Sequence, residues 1–370
     1  MDDLARLIRF TAGGDRASSS SGWVVPPGVT VDSLAGDDRI TGAANATGTG
    51  IEIFITSTLN TSSGNDAIKG IGGADDGYGI RNKGTINTGI TNGSEADNDS
   101  IEGIGVAGII NYGTINTGNG ADTILGRGTG GFGIINSGMI NTGDGDDVIT
   151  GTTETPSSDG ISGGTINTGA GSDRVTGNGT SRGIGGGSID TGSGNDNISG
   201  SCTDGSGISI FRMLNTGNGD DIITGIGPRN GIEAIGDIDT GADNDTITGA
   251  ATRSGSDRYG IYLDSLSTIR TGSGADVVDA MNGGFAGGGR VDLGSGDDTL
   301  KGFGRGNFQG GDGIKDTLVF RRGAYTIRDA GLGSYLINDV MRVSGFELFG
   351  PGASILSFAA AARAGSVTFA

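Results

Sequence analysis

The sequence predicts an all-β chain wound as a three-sided parallel β-solenoid, with about 25 residues per turn and roughly ten to twelve turns. Three observations predict it. The phrase I-N-T-G-x-G-x-D-x-I-x-G recurs along the chain, with clear copies starting at Ile115, Ile140, Ile166, Ile189, Leu214 and Ile238 and worn copies at Val31, Leu59, Ile86, Ile269 and Val291. Successive copies start roughly 22 to 31 residues apart, a spacing that belongs to stacked repeats rather than to a globular core. Third, each repeat carries three apolar beats, such as Ile109, Ile115 and Ile124, which is one inward side chain for each of three short strands.

Composition agrees. Among 370 residues there are 80 Gly and no His, and aromatics are 5%, so a thick core of large side chains is excluded. Gly lacks a three-residue period, which excludes collagen, and the regular Ile positions argue against disorder. A net charge of −19 disfavours nucleic acid and anionic membrane surfaces as partners and favours cations. The single Cys202 excludes an intramolecular disulfide. No apolar run approaches the roughly 20 residues of a membrane span, so no membrane insertion is expected.

In chain order, residues 1–30 read as an N-terminal segment, in which Asp3 to Arg9 forms a short amphipathic helix, Ser18 to Gly22 a flexible linker, and Trp23 to Pro27 the lead into the first turn. Residues 31–320 are the repeats. The triple beat continues as Ile134, Ile140, Ile149, then Ile161, Ile166, Val175, then Ile184, Ile189, Ile198, and on through Ile247. Each Ile should stack on the next turn at about 4.8 Å. Asn87, Asn116, Asn141 and Asn167 mark one corner, and Asn82, Asn111 and Asn136 another, where amides can hydrogen-bond along the axis. Residues 321–370 close the chain as a cap.

One Asp falls at the same phase of every turn: Asp38, Asp66, Asp99, Asp122, Asp147, Asp173, Asp196, Asp221, Asp245, Asp276 and Asp298. The residue two before is Gly in nine of these eleven, the departures being Asp97 and Asp243; six extra residues precede Asp99. Unless they splay outward, charges about 4.8 Å apart repel by roughly 0.9 kcal/mol in water and about 3.5 at an effective dielectric of 20. Against a total stability of about 5–15 kcal/mol, such a row calls for cations between its rungs. Hard oxygens with no His or Cys beside them select Ca2+. The plainer role for these Asp residues is turn formation. Adjacent acids such as Asp146, Asp220 and Asp297 read as solvated surface charge.

Thr117-Gly118-Asn119-Gly120-Ala121-Asp122-Thr123-Ile124 resembles the Gly-Asp nonapeptide of the repeats-in-toxin (RTX, haemolysin-type) proteins, with Thr for the first Gly, and the likeness spans roughly residues 31 to 320. The resemblance implies that each Asp, with loop carbonyls of adjacent turns, holds Ca2+. The carbonyls implied are those near Gly118, Gly120, Gly143, Gly145, Gly169, Gly171, Gly192, Gly194, Gly217, Gly219, Gly272, Gly274, Gly294 and Gly296. With one nonapeptide per turn instead of the family's two, one calcium-lined edge is expected. Gly310 to Phe320 is similar to a last repeat with one residue inserted, which adds Asp316. Ser357 to Ala370 is similar to an uncleaved type I secretion signal, so the resemblance implies export by type I machinery.

No zinc signature, nucleophile elbow or P-loop is present, and Arg and Lys are sparse, with Arg321-Arg322 the only adjacent pair beyond the repeats. The expectation is a non-enzyme: a secreted calcium-binding structural protein of a bacterial cell surface or matrix, as a surface-layer, sheath or filament subunit, self-associating through solenoid ends or faces. The alternative is a calcium-dependent binding module, glycan-adhesive or ice-binding. Thr85-Ile86-Asn87, Thr114-Ile115-Asn116 and Thr165-Ile166-Asn167 resemble the flat Thr-x-Asn rows that bind ice in some calcium-dependent repeat proteins, although the row breaks at Met139, Ser188, Met213 and Asp237.

Overall fold

A computed structural model describes residues 1–89, 96–351 and 355–369. The chain is an all-β parallel solenoid of about 12 turns and three sheets, with about 25 residues per turn and almost no helix. It divides into two compact units, Met1–Ser193 with Asn197–Thr203, and Gly194–Asp196 with Asp204–Ala370.

One turn shows how the sequence makes the fold. Ile109–Asn111 lies on a first face, Thr114–Asn116 on a second and Thr123–Gly128 on a third. Each strand pairs in parallel and in register with its counterpart one repeat later, so Ile109, Ile115 and Ile124 meet Ile134, Ile140 and Ile149. All six are fully buried. Burying a side chain of this size contributes roughly 1.5–3 kcal/mol, and identical stacked neighbours leave no gap to fill. The core is therefore thin and needs no large side chains.

The Asn residues do the axial work expected of them. Asn82 donates from Nδ2 to Asn111 Oδ1 at 2.8 Å, and Asn111 to Asn136 Oδ1 at 2.9 Å, at the buried corner between first and second faces. On the second face Asn116 donates to Asn87, and Asn167 to Asn141.

Both ends differ from expectation. The helix is a single turn, Leu4–Leu7, with Leu4 buried. Ser18 and Ser19 are no linker: Arg16–Ser19 is a strand paired with Arg39–Ala43, and Trp23–Val25 pairs with Ile51–Ile53. The first turn is thus built from residues 16–32, because Ala17 and Trp23 supply buried beats that no Ile marks in the sequence.

At the other end the winding outlasts residue 320. Met341–Ser344 pairs in parallel with Gly306–Gln309, and Leu348–Gly350 with Thr317–Val319. An antiparallel meander, Gly323–Gly331, Ser334–Ile337 and Met341–Ser344, projects between them. Helix Phe358–Ala364 and strand Ser366–Phe369 then close the unit, the strand pairing with Gly323–Thr326. The aromatics concentrate here, with Phe349 against Phe320, Phe358 and Phe369 at 5.1–6.0 Å between ring centres. Ala370 and the insertion at residues 90–95 before Asp99 lie outside the described residues.

Asp243 stands where neighbouring turns place Gly219 and Gly274, and it keeps their left-handed backbone, with φ 81°. A non-Gly residue held there costs about 1–3 kcal/mol. Asp243→Gly is expected to stabilise the protein by about 1 kcal/mol, read as a higher midpoint in urea; an unchanged or lower midpoint would count against strain at this corner.

Candidate metal centre

The corner between second and third faces carries the Asp row. Thr117 ends the second face, Gly118 and Gly120 turn the chain with φ 103° and 130°, and Asp122 precedes the strand Thr123–Gly128. Gly is needed twice over, since a Cβ on Gly143 would collide with the Gly118 carbonyl oxygen of the preceding turn. The tight reversal aims the Asp side chain inward. Asp122 and its counterparts are 0–2% exposed, so the carboxylates do not splay outward.

What they meet there is backbone. Asp38 Oδ1 accepts the Asp15 amide at 2.7 Å, Asp66 Oδ1 the Asp38 amide at 2.7 Å, and Asp99 Oδ1 the Asp66 amide at 2.7 Å. Asp122, Asp147 and Asp173 continue the series at 2.7, 2.8 and 2.8 Å. In the second unit Asp221, Asp245, Asp276, Asp298 and Asp316 each accept the amide of the Asp one turn earlier, starting from Asp196, at 2.8–2.9 Å. All twelve predicted positions thus fall on one phase. Asp99 sits on it in spite of the insertion, because Ile101 remains in register with Ile68 and Ile124.

The structure adds two members that the repeat pattern did not show. Asp15 contributes the first amide, and Glu347 Oε2 accepts the Asp316 amide at 2.9 Å as the last acceptor. Gly345-Phe346-Glu347-Leu348-Phe349-Gly350 keeps the G-x-D-x-I-x-G spacing to within one residue; Glu for Asp is what hid it. A second row was also missed. Asp146 Oδ1 accepts the Ser172 amide at 2.7 Å, Asp220 Oδ1 the Asn244 amide at 2.8 Å, and Asp297 Oδ1 the Lys315 amide at 3.1 Å. These residues are not idle surface charge. Asn98, Asn195 and Asn244 act in the same way, which explains why Asn serves at that site as well as Asp.

Turn formation therefore occupies one oxygen of each inner carboxylate and leaves the other. Oδ2 of Asp38, Asp66, Asp99, Asp122, Asp147, Asp221, Asp245, Asp276, Asp298 and Asp316 is buried without a hydrogen-bond partner. Several nearby Thr hydroxyls are committed along the axis, as when Thr117 donates to the Thr142 carbonyl at 3.2 Å, while those of Thr88 and Thr240 are themselves buried without a partner. A buried unsatisfied acceptor costs about 1–3 kcal/mol, and more when charged. Ten of them rival the whole stability of a typical domain.

Burial pushes these carboxyls up, to about 8 for Asp99 and Asp147, about 7 for Asp66, Asp245 and Asp298, and about 6 for Asp122 and Asp276. Asp38, Asp173, Asp221 and Asp316 are raised as well, with desolvation the largest cause in every case. For most of them the neighbouring Thr hydroxyl, and then the bonded amide, pull the other way. The repulsion expected between fully ionised rungs is thus partly relieved by protonation, and desolvation rather than repulsion is the main cost of charging them.

The donor set fits a hard divalent cation. Among the described residues no three His, Cys, Asp or Glu side chains converge, since the carboxylates come one per turn. A bound ion would therefore take Oδ2 from the rungs and complete its shell with carbonyls. All fourteen glycines implied by the resemblance adopt positive φ. Four of their carbonyls, at Gly169, Gly217, Gly272 and Gly294, already accept an amide from the following turn, which leaves each a single lone pair for an ion. At Gly313 a Cβ would collide with the Asp316 carboxylate, so the backbone lies directly against the acid there.

No family model matches the chain, and no curated protein matches its sequence. Among solved structures it resembles a hyperactive, Ca2+-dependent, β-helical antifreeze protein from an Antarctic bacterium, determined by X-ray crystallography. The identity is 16% and the TM-score 0.46, over 96% of this chain and 93% of that one. A likeness at that level assigns nothing to this chain.

Two outcomes follow from the row. Unfolded, these Asp residues titrate near 3.9; folded, those resolved lie at about 6–8, so between these values the folded state binds more protons. Their contribution is complete below about pH 4 and is lost as pH rises through 6 to 8. The chelated protein should therefore melt at a lower temperature at pH 8 than at pH 5, and saturating Ca2+ should reverse that slope. Asp147→Asn keeps the acceptor for the Asp122 amide and removes the charge. It should stabilise the chelated protein at pH 8 by about 1 kcal/mol and shrink the gain on adding Ca2+. A variant as stable as the parent under both conditions would show that the carboxylate serves the turn alone.

Proposed function

We propose that the chain is a calcium-dependent structural solenoid that folds outside the cell, where it serves a bacterial surface or its matrix. The observation that carries this reading is the row of buried, partnerless Oδ2 atoms at one corner. Bound calcium supplies a positive, oxygen-seeking partner for them. The chain's own residues do the rest: the inner Asp oxygens fix the spacing of successive amides, the paired glycines bring carbonyls close, and the outer Asn and Asp residues hold the loop from the solvent side. Binding free energy then becomes folding free energy.

Calcium is scarce in the cytosol, so the ionised row would keep the chain loose enough to pass through a type I channel and would let it fold in millimolar calcium beyond. The segment 357–370 is the proposed export signal, which the folded protein uses as a cap by burying Phe358 and Phe369. With Cys202 as its one thiol, the protein has ions rather than disulfides to staple it. No helix among the described residues is long and apolar enough to cross a membrane.

A second reading has its own support. In the first unit Thr30, Thr58, Thr85 and Thr114 stand in register on consecutive turns, with Asp32, Asn60, Asn87 and Asn116 two residues on. This is a longer regular face than the sequence pattern showed, broken at Met139 and resumed at Thr165. It favours a calcium-dependent binding face for an ordered surface such as ice.

Calcium titration of the chelated protein, followed by circular dichroism and light scattering, tests the first reading. A β signal that grows with Ca2+, together with rising scattering, is expected. A signal indifferent to chelator would end the calcium proposal. Folding without assembly, together with thermal hysteresis that Thr85→Lys abolishes, would move the function to the binding face.

A further inference from the structure

In the second unit, an open cleft of about 680 Å³ lies where the third face turns into the following first face, beside the aromatic cap. Its walls come from four successive turns and hold Arg253, Arg258 and Arg321, with Asn282 at the rim and Phe303 and Tyr325 below. Among the described residues no acidic side chain lines it. In a chain of 43 acids and 24 bases this is a local inversion of charge.

The guanidinium groups are held largely by neutral partners. Arg258 Nη1 donates to the Pro228 carbonyl at 2.9 Å. Arg321 Nη2 donates to the Met281 carbonyl at 2.6 Å and to Asn282 Oδ1 at 3.2 Å. Arg253 meets Asp204 at 4.0 Å, and both side chains are more than half exposed, so little of its charge is spent. Carbonyls and amides orient a guanidinium without neutralising it. The ring floor is equally fixed: Tyr325 is 8% exposed, donates its hydroxyl proton to the Arg321 carbonyl at 2.8 Å, and packs 6.0 Å from Phe303.

We propose that this cleft binds a carboxylate-bearing sugar residue of an acidic glycan. Arginine's planar fork matches a carboxylate with two parallel bonds, and an aromatic floor suits the apolar face of a pyranose ring. The volume suits one or two sugar units. The negative charge elsewhere on the chain repels polyanions, so binding is confined to the place where the guanidiniums gather. The cleft uses none of the corner carboxylates, and its occupancy is independent of which function those carboxylates serve.

Calorimetry of the full chain in saturating calcium tests this, with a hyaluronan tetrasaccharide as the acidic probe and chitotetraose as the neutral one. The acidic sugar should bind at least tenfold more tightly than the neutral one, and more weakly at 0.5 M salt. Arg253→Gln/Arg321→Gln should weaken it at least tenfold. Arg253→Gln alone, at an exposed site that leaves the fold intact, should weaken it about threefold with an unchanged melting temperature. Equal affinity for both sugars, no binding of the acidic one, or unaltered binding by the double variant would overturn the proposal. So would inorganic phosphate displacing the tetrasaccharide at equal concentration, since the site would then recognise charge and not a sugar acid.

Discussion

The structure depends on one contact made in turn after turn, in which an inward Asp oxygen accepts the amide of the Asp before it. That contact pins the corner from which the third face starts, and with it the stacking of Ile on Ile. It also sets the chemical problem, because fixing one oxygen by burial commits the second to the same dry place. A carboxylate there must take a proton or a cation, and both choices tie folding to the medium. Local geometry, stability and function are in this sense one question.

The two polar rows at the corner run in opposite directions. Inner carboxylates accept from the preceding turn, as Asp147 does from Asp122, while outer side chains accept from the following turn, as Asp146 does for Ser172. Where the outer residue is Asn or Asp, consecutive amides of the loop are thereby satisfied from two sides. Asn suffices outside, where solvent covers the remainder, and Asp persists inside. An uncharged amide at the inner site would satisfy the neighbouring N–H equally well, so the retained charge is the part that turn formation does not explain.

Much of this was legible in the sequence. The triple Ile beat and the Gly-x-Gly-x-Asp spacing give the turn, its three faces and the phase of eleven acids, because a stacked repeat imposes one environment on one phase; Asp316 came from the likeness of the last repeat. The ends were less legible for the same reason. Ala17, Trp23 and Glu347 occupy repeat positions with other residue types, so no Ile or Asp marks them in the sequence. The inward aim of the carboxylates was hidden too, since it follows from the positive φ of the two glycines and not from residue identity. The arginine cleft joins arginines 68 residues apart, Arg253 and Arg321, which no local pattern brings together.

Turn length varies chiefly where the third face passes to the next first face: strands end and resume at Thr153 and Ile161, at Gly179 and Arg182, and at Ala251 and Tyr259. Because the rungs lie at another corner, an insertion here leaves every axial bond in place. Such a scaffold separates heritable change from collapse. Its loops can differ in length and lining, as at 252–258, while the acidic spine, bonded from turn to turn, cannot change its spacing without breaking those bonds.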